Sequence, residues 1–516
     1  MKINLRNMMV ASLCAMSAVA VWADSLVLLH TNDTHSMIFP DKDGLGGVQR
    51  RKVLIDSVRN AEKNVVLIDA GDAVQGTLFF KFFGGEVENP LMDMMGYDIR
   101  VVGNHEFDNG IEELRANLEK SKSVLLSSNY DVAGSGLKGL FKPYHIKKIG
   151  RHKVGFIGLN IDPKSLITEQ NVEGIVWHDV VATANDLAAM LKREKKCDFV
   201  VAVTHIGYEK SNAKTSDVEL AQASRDIDII IGGHSHTMLD PTQADSFPHL
   251  IKNADGKEVL VAQCGKWGKK LGYIKVDLDN PDKTPTYRLL SVDSRLDGKV
   301  DAEMARFLAP YAEVVDSVNN VAIARAVVDM TNEERCGALP NWTADYAMHF
   351  AHRMLDTLSS GKAPKADLAI MNVGGIRQPI YKGGVSEGQI LSIYPFSNRM
   401  VMVKIKGADL WSIFEEMARK GGESVSDEVR IVVDKDRRLL NVLIDGEQLQ
   451  KDRDYHVCTI DYLAWGNDDL VSFKKGEIVW SDTVDMSVRV LAYVRWLTEM
   501  GMPIVSDDNS RFICIE

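Results

Sequence analysis

The residues best suited to chemistry are carboxylates and imidazoles placed just past apolar, β-branched runs. "SLVLLHT" leads into Asp33 and His35. "NVVLIDAGD" ends in Asp72, and "IRVVGNHEFD" in Asn104, His105 and Asp108. "DFVVAVTH" ends in His205, and "IDIIIGGHSH" in His234 and His236. Taken alone, Asp33-x-His35 reads better as a strand-end turn, in which Asp and Asn bond their own backbone. The alternative is a pair of metal ligands, both on one side of the pleat. Five strand ends with oxygen or imidazole donors favour the metal. The carboxyl edge of an open α/β sheet is where ligands bind, and burying so many Asp and His side chains without partners is costly. Coordination satisfies them. A His/Asp/Asn set without thiolate suits a catalytic ion with open positions rather than a closed structural zinc. The donors are too many for one ion. Two ions roughly 3.5–4 Å apart and sharing a carboxylate account for them, with Asp72, the lone ligand of its strand, as the natural bridge.

These donors must be held by a layered scaffold. From Ser25 to about Asn280, near-continuous Val/Ile/Leu runs alternate with helical patterns such as "GIEELRANLEKS" and "VVATANDLAAMLKREKK". Such runs indicate strands buried on both faces, hence an α/β layered domain. "NPDKTPTYRLLSVD" breaks the pattern, and "DAEMARFLAPYAEVVDSVNN" (301–320) reads as an exposed connecting helix. A second α/β unit follows, with strands in "ADLAIMNVGGIR", "RMVMVKIKG", "RIVVDK" and "DYHVCTIDYLAWG". The expected organisation is therefore 24–300, a linker helix at 301–320, and 321–516. A chain of 516 residues suits two or more cores.

Residues 1–23 read as a secretory signal peptide: Lys2 and Arg6, an apolar run from Met8 to Val21, and cleavage after Ala23. No later stretch is apolar and long enough to span a bilayer. Five cysteines follow the leader (Cys197, Cys264, Cys336, Cys458, Cys514), with no C-x-x-C pair. A zinc ribbon is therefore not expected, nor a disulfide framework in a chain this large. A net charge of −11 argues against a general nucleic-acid binder, which needs bulk attraction for phosphate. An anionic substrate would need a local cluster of cations.

The motifs Asp33-x-His35, Gly71-Asp72-x-x-Gln75-Gly76, Gly103 to Asp108, His205-x-Gly207 and Gly232 to Thr237, in that order, resemble the signature of the calcineurin-like metallophosphoesterases. "GNHEFD" and "QCGKWGKKLG" look like its exported 5′-nucleotidase branch. The resemblance implies a layered β-sandwich flanked by helices, joined to a second α/β substrate-binding domain. It implies two divalent ions (Zn, Mn, Co or Fe), with Asp33, His35, Asp72 and His236 on one, and Asp72, Asn104, His205 and His234 on the other. His105 and Asp108 match the family's catalytic pair; Asp108 also reads as a helix cap. In the second domain the resemblance makes Arg335 and Arg377 phosphate-binding arginines and Phe396 and Tyr462 the aromatics that sandwich a base. Asn372 and Gly375 become further substrate-binding residues, and Asn398 and Asp468 polar groups for base and ribose.

The chain departs from the family pattern in three places. Tyr462 stands where Phe is expected. "WGNDD" puts Asn467 where a glycine normally permits special backbone angles, with the bulky Trp465 beside it. "RCGALPN" lacks the acidic residue and glycine expected before Asn341. The implied function is metal-dependent hydrolysis of the 5′-phosphate of nucleoside monophosphates, extending to di- and triphosphates, by two-metal in-line attack. The substrate spans both domains, and an exported protein, periplasmic or secreted, is expected. A 2′,3′-cyclic nucleotide phosphodiesterase or a nucleotide-sugar pyrophosphatase would use the same site. A sulfur-compound hydrolase on this scaffold would not need the aromatic pair, and a non-catalytic receptor would not need His105 and Asp108.

Overall fold

The computed structural model of the protein describes residues 24–515 apart from 165, 210–213, 244–246, 360 and 362. The leader expected at 1–23 lies outside the described residues.

The first unit is a sandwich of two six-stranded sheets. One runs in the order Thr286–Ser291, Lys270–Asp277, Ser25–Thr31, Val65–Asp69, Ile99–Val101, Val124–Leu126. Its last four strands are mutually parallel. The other runs Leu250–Lys252, Glu258–Ala262, Ile229–Ile231, Phe199–His205, His152–Asn160, Tyr144–Ile149, with a parallel centre. The period-2 geometry of a strand divides its side chains between two cores. Leu26 and Leu28 face the core between the sheets with Phe156, Val201 and Ile230. Val27 and Leu29 face the opposite side, against Val48, Ile55 and Leu91 from the helices Val48–Ala61 and Glu88–Met95. Both faces of the central strands are covered, as their apolar runs require.

Two expectations are corrected here. The helix Ala302–Asn319, capped by the Asp301 side chain, is not an exposed connector. Met304, Leu308 and Val315 recur at helical spacing and are buried in the core on the helix side of the first sheet, so one stripe is packed and the other solvated. And "TYRLLS", read as a break, is the edge strand Thr286–Ser291. Its burial pattern is mixed, as an edge position with one covered face allows.

The second unit is built on a five-stranded sheet: Ser424–Val425, Leu368–Met371, Asp454–Ile460, Arg399–Lys406, Glu477–Asp485. The helices Ala338–His349, Gly407–Lys420 and Met486–Glu499 pack on it. A four-stranded sheet containing Val429–Asp434 and Leu439–Ile444 lies alongside. The two units meet directly. Leu391 of the second enters the helix-side core of the first. Tyr462 Oη donates to Leu166 O at 3.2 Å, Lys81 Nζ to Pro395 O at 3.3 Å, and Lys474 pairs with Glu169 at 2.8 Å.

Candidate active site

All five motif-bearing strands point their carboxyl ends to one edge of the sandwich, three from one sheet and two from the other. Only His205 is still a strand residue; the other donors sit in the turns that follow. Asp33 (φ 51°), His35 (47°), Asp72 (53°), His234 (77°) and His236 (57°) all adopt left-handed backbone. That conformation is unfavourable for residues with a Cβ, by roughly 1–2 kcal/mol each, and clusters at functional sites. The strand-pleat argument for Asp33 and His35 is thereby replaced: they converge because the chain turns left-handed at each. Hydrogen bonds between the loops over-determine these turns. Asp33 N donates to Gly71 O (2.9 Å), His35 N to Asp72 O (3.0 Å), and Trp267 N to Asp33 O (2.7 Å). Gly71 (φ 89°) is required for the approach, because a Cβ there would lie 2.7 Å from both Gly103 N and His205 Nδ1.

The donors form three overlapping groups whose ligand atoms lie within 4.8 Å of one another: Asp33/His35/His236, His35/Asp72/His105 and Asp72/His205/His234. His35 Nε2 and His236 Nε2 face each other at 2.9 Å, with Asp33 Oδ1 3.9 and 3.6 Å away. His205 Nε2 lies 3.2 Å from Asp72 Oδ2, and Asn104 Oδ1 2.9 Å from His234 Nδ1. These atoms fit divalent cations. His205 Nδ1 contacts Ala70 O at 2.7 Å, which orients the ring and aims its buried Nε2 at the Asp72 carboxylate, where it would coordinate a shared ion. Burial works against the Asp72 charge, yet His205 and His105 hold its carboxyl well below the usual range. Burial pushes Asp33 up to about 7 and pulls His234 down to about 3, the latter with lone pairs available. One firmly anionic carboxylate shared between two imidazole-bearing groups, Asp72, suits one or two divalent ions.

His105 Nδ1 lies 2.9 Å from Asp108 Oδ2, and its Nε2 4.0 Å from Asp72 Oδ2. Burial opposes its charge, but Asp108 and Asp72 raise its pKa. Asp108 does not cap the following helix: Gly110 occupies that position in Ile111–Leu118, so Asp108 is left to His105.

The second unit brings Phe396 to this edge, its ring 5.8 Å from that of His105. The Arg377 guanidinium lies 6.0 Å over the Phe396 ring, half-buried and within electrostatic reach of Asp72, Asp108 and Asp33. Asn372, Gly375, Phe396 and Asn398 line one cavity. Tyr462 is partly buried against the second core, and Asp468 bonds Asn372 Nδ2 at 3.1 Å. Arg335 is turned to Gly422 O (2.9 Å) and Glu423. Among the described residues it has no contact with the first unit's donors.

Residues 26–238 match the calcineurin-like phosphoesterase family and residues 317–475 the 5′-nucleotidase C-terminal domain. The human 5′-nucleotidase is 27% identical over 93% of this chain and 90% of its own. The venom 5′-nucleotidase of Crotalus adamanteus is 27% identical over 88% and 83%. The crystal structure of a 5′-nucleotidase precursor from Thermus thermophilus is 28% identical, covers 95% of this chain and 99% of that one, and superposes with a TM-score of 0.83. The chain belongs to the 5′-nucleotidase family.

As a member of that family it departs less than its sequence suggests. Asn467 has no left-handed backbone; Gly466 (φ 76°) and Asp468 (57°) on either side take it instead. Trp465 is 40% exposed. Three residues near the site were not singled out from the sequence. Glu106, buried inside "GNHEFD", accepts from Gly103 N (2.5 Å), Ala73 N (2.8 Å) and Asp72 N (3.1 Å), and so pins the Asp72 turn. Gln263 accepts from Thr237 N (3.0 Å) and donates to Gly233 O (2.9 Å), and so holds the His234–His236 turn. Lys266, next to Trp267, adds positive charge beside His236. The signal for all three was their position inside quoted motifs; apart from Gly103, these partners lie outside the motif that each residue belongs to.

Proposed function

We propose that this protein is a divalent-metal-dependent 5′-nucleotidase that cleaves nucleoside 5′-monophosphates to nucleoside and phosphate. In this reading Asp33, His35, Asp72 and His236 hold one ion, and Asp72, Asn104, His205 and His234 the other. The ions supply Lewis-acid stabilisation and a nucleophile active near neutral pH. Asn104, His105 and Arg377 face the phosphoryl oxygens, where fixed donors stabilise developing charge. Asp108 keeps His105 oriented and favours its protonated form, as a carboxylate does for a triad histidine. Phe396 and Tyr462 take the base by stacking, and Asn372, Asn398 and Asp468 its polar edge and the ribose. The division into 24–300, 301–320 and 321–516 belongs to the same reading. Relatives from snake venom and a bacterial precursor support an exported protein, and the periplasm or cell surface is the compartment we assign.

The observation that carries this reading is the meeting of the two units: Phe396 stands against His105 with Arg377 above it. A metal centre thus opens onto an aromatic, cationic wall. The test is phosphate release from AMP with Mn²⁺ or Zn²⁺, with EDTA, and with Asp72→Asn. Release that EDTA abolishes, added metal restores and the variant lacks is expected. Faster turnover of 2′,3′-cyclic AMP or UDP-glucose than of AMP would overturn the substrate assignment.

A further inference from the structure

Lys420 ends the helix Gly407–Lys420, far in sequence from every residue assigned above. A lysine in a last helical turn is ordinarily explained by the helix dipole and points to solvent. This one is turned inward: its side chain is 13% exposed. Its ammonium donates to Asp468 O (2.6 Å) and Oδ1 (2.7 Å) and lies 2.8 Å from Glu423 Oε1. The Glu423 carboxylate is fully buried. Its Oε2 accepts from Val373 N at 2.8 Å, and its Oε1 is shared with Arg335. Asp468 Oδ2 in turn accepts from Asn372 Nδ2 at 3.1 Å. Because Asn372 and Val373 are adjacent, the contacts close a ring: Lys420, Asp468, Asn372-Val373, Glu423, Lys420.

The ring ties together three segments that have no covalent reason to stay in register: the 3₁₀ turn Val373–Gly375, the helix end, and the turn at Asp468, which is held at φ 57°. Two carboxylates with little exposure this close would repel and spread without the cation between them. The pocket residues Asn372 and Gly375 and the acidic Asp468 are set by it.

We propose that Lys420 is the positioning residue of the nucleoside subsite: it holds Asp468 and Asn372 where a ribose hydroxyl and a base can meet them. It acts on substrate selection and touches neither metal ligands nor the reacting atoms. The inference rests on the nucleotidase reading above.

The test compares kcat/KM for AMP with kcat/KM for p-nitrophenyl phosphate, whose ring can stack but which has no ribose. Removing a hydrogen-bonded charge is expected to lower the AMP to p-nitrophenyl phosphate ratio roughly 10-fold or more in Lys420→Met, and Lys420→Arg should recover part of it. A ratio equal to wild type overturns the inference, because a merely structural lysine would depress both substrates together. Should Lys420→Met fail to fold on the uncompensated carboxylates, Lys420→Met/Glu423→Gln removes one of them and is expected to show the same loss of ratio. A wild-type protein that does not hydrolyse AMP would overturn the nucleotidase reading and this inference with it. A wild type that does, with an unmoved ratio in the variants, would overturn this inference alone.

Discussion

His105 shows how far a single residue can be read. Its pairing with Asp108 was implied by the family resemblance, not by spacing, and the ring nitrogen and carboxylate oxygen do meet at 2.9 Å. The sequence did not disclose that Asp108 is released from helix capping by Gly110, or that Phe396 from the other unit stands on His105. On the proposed reading, in which His105 bears a proton and is not a ligand, His105→Ala is expected to lower kcat on AMP by roughly 10²–10⁴ while metal content, read by elemental analysis, stays at the wild-type stoichiometry. Parallel loss of metal would make His105 a ligand or a structural residue. Glu106 is the contrasting case. It reads as one more acidic residue of a motif, and only the folded chain reveals three backbone N–H groups converging on it.

At the scale of the element, the strands that carry the site were legible because both their faces are covered, so their apolar runs are continuous. Elements with one covered face were misread. The helix Ala302–Asn319 carries Met304, Leu308 and Val315 at the spacing of one stripe, yet charged and polar residues between them suggested exposure. Its packing is testable. Leu308→Ala is expected to destabilise the protein by about 2–5 kcal/mol, measured by urea unfolding. Val314→Ser, on the solvated stripe at 45% exposure, should change stability by less than about 0.5 kcal/mol. Equal, small effects in both would mean that the helix does not pack as described. The edge strand Thr286–Ser291 was missed for the same reason: its burial is too mixed to leave a period.

At the scale of the whole molecule, the site is made where the units touch. The first supplies metal donors from two sheets, and the second supplies an aromatic ring and a guanidinium. Phe396→Ala is expected to raise KM for AMP by the worth of one stacked base, about 1–3 kcal/mol, measured by steady-state kinetics across AMP concentrations. An unaltered KM would place the base elsewhere. Contacts such as Tyr462 Oη to Leu166 O hold the units with this wall against the donors.

The sequence by itself determined the candidate donors, their order along the chain and the layered class of fold. Metal ligands must be particular residue types, and buried strands must be apolar, so both leave marks that need no coordinates. The tertiary structure alone decided which donors share an ion-sized space, and that five of them sit in left-handed turns. It also decided that Arg335 is held by Glu423, and that Lys420 and Glu423 brace the pocket from outside every motif. Those features depend on loops and helix ends remote in sequence coming within hydrogen-bond distance, and a local pattern of residue types carries no record of such distances.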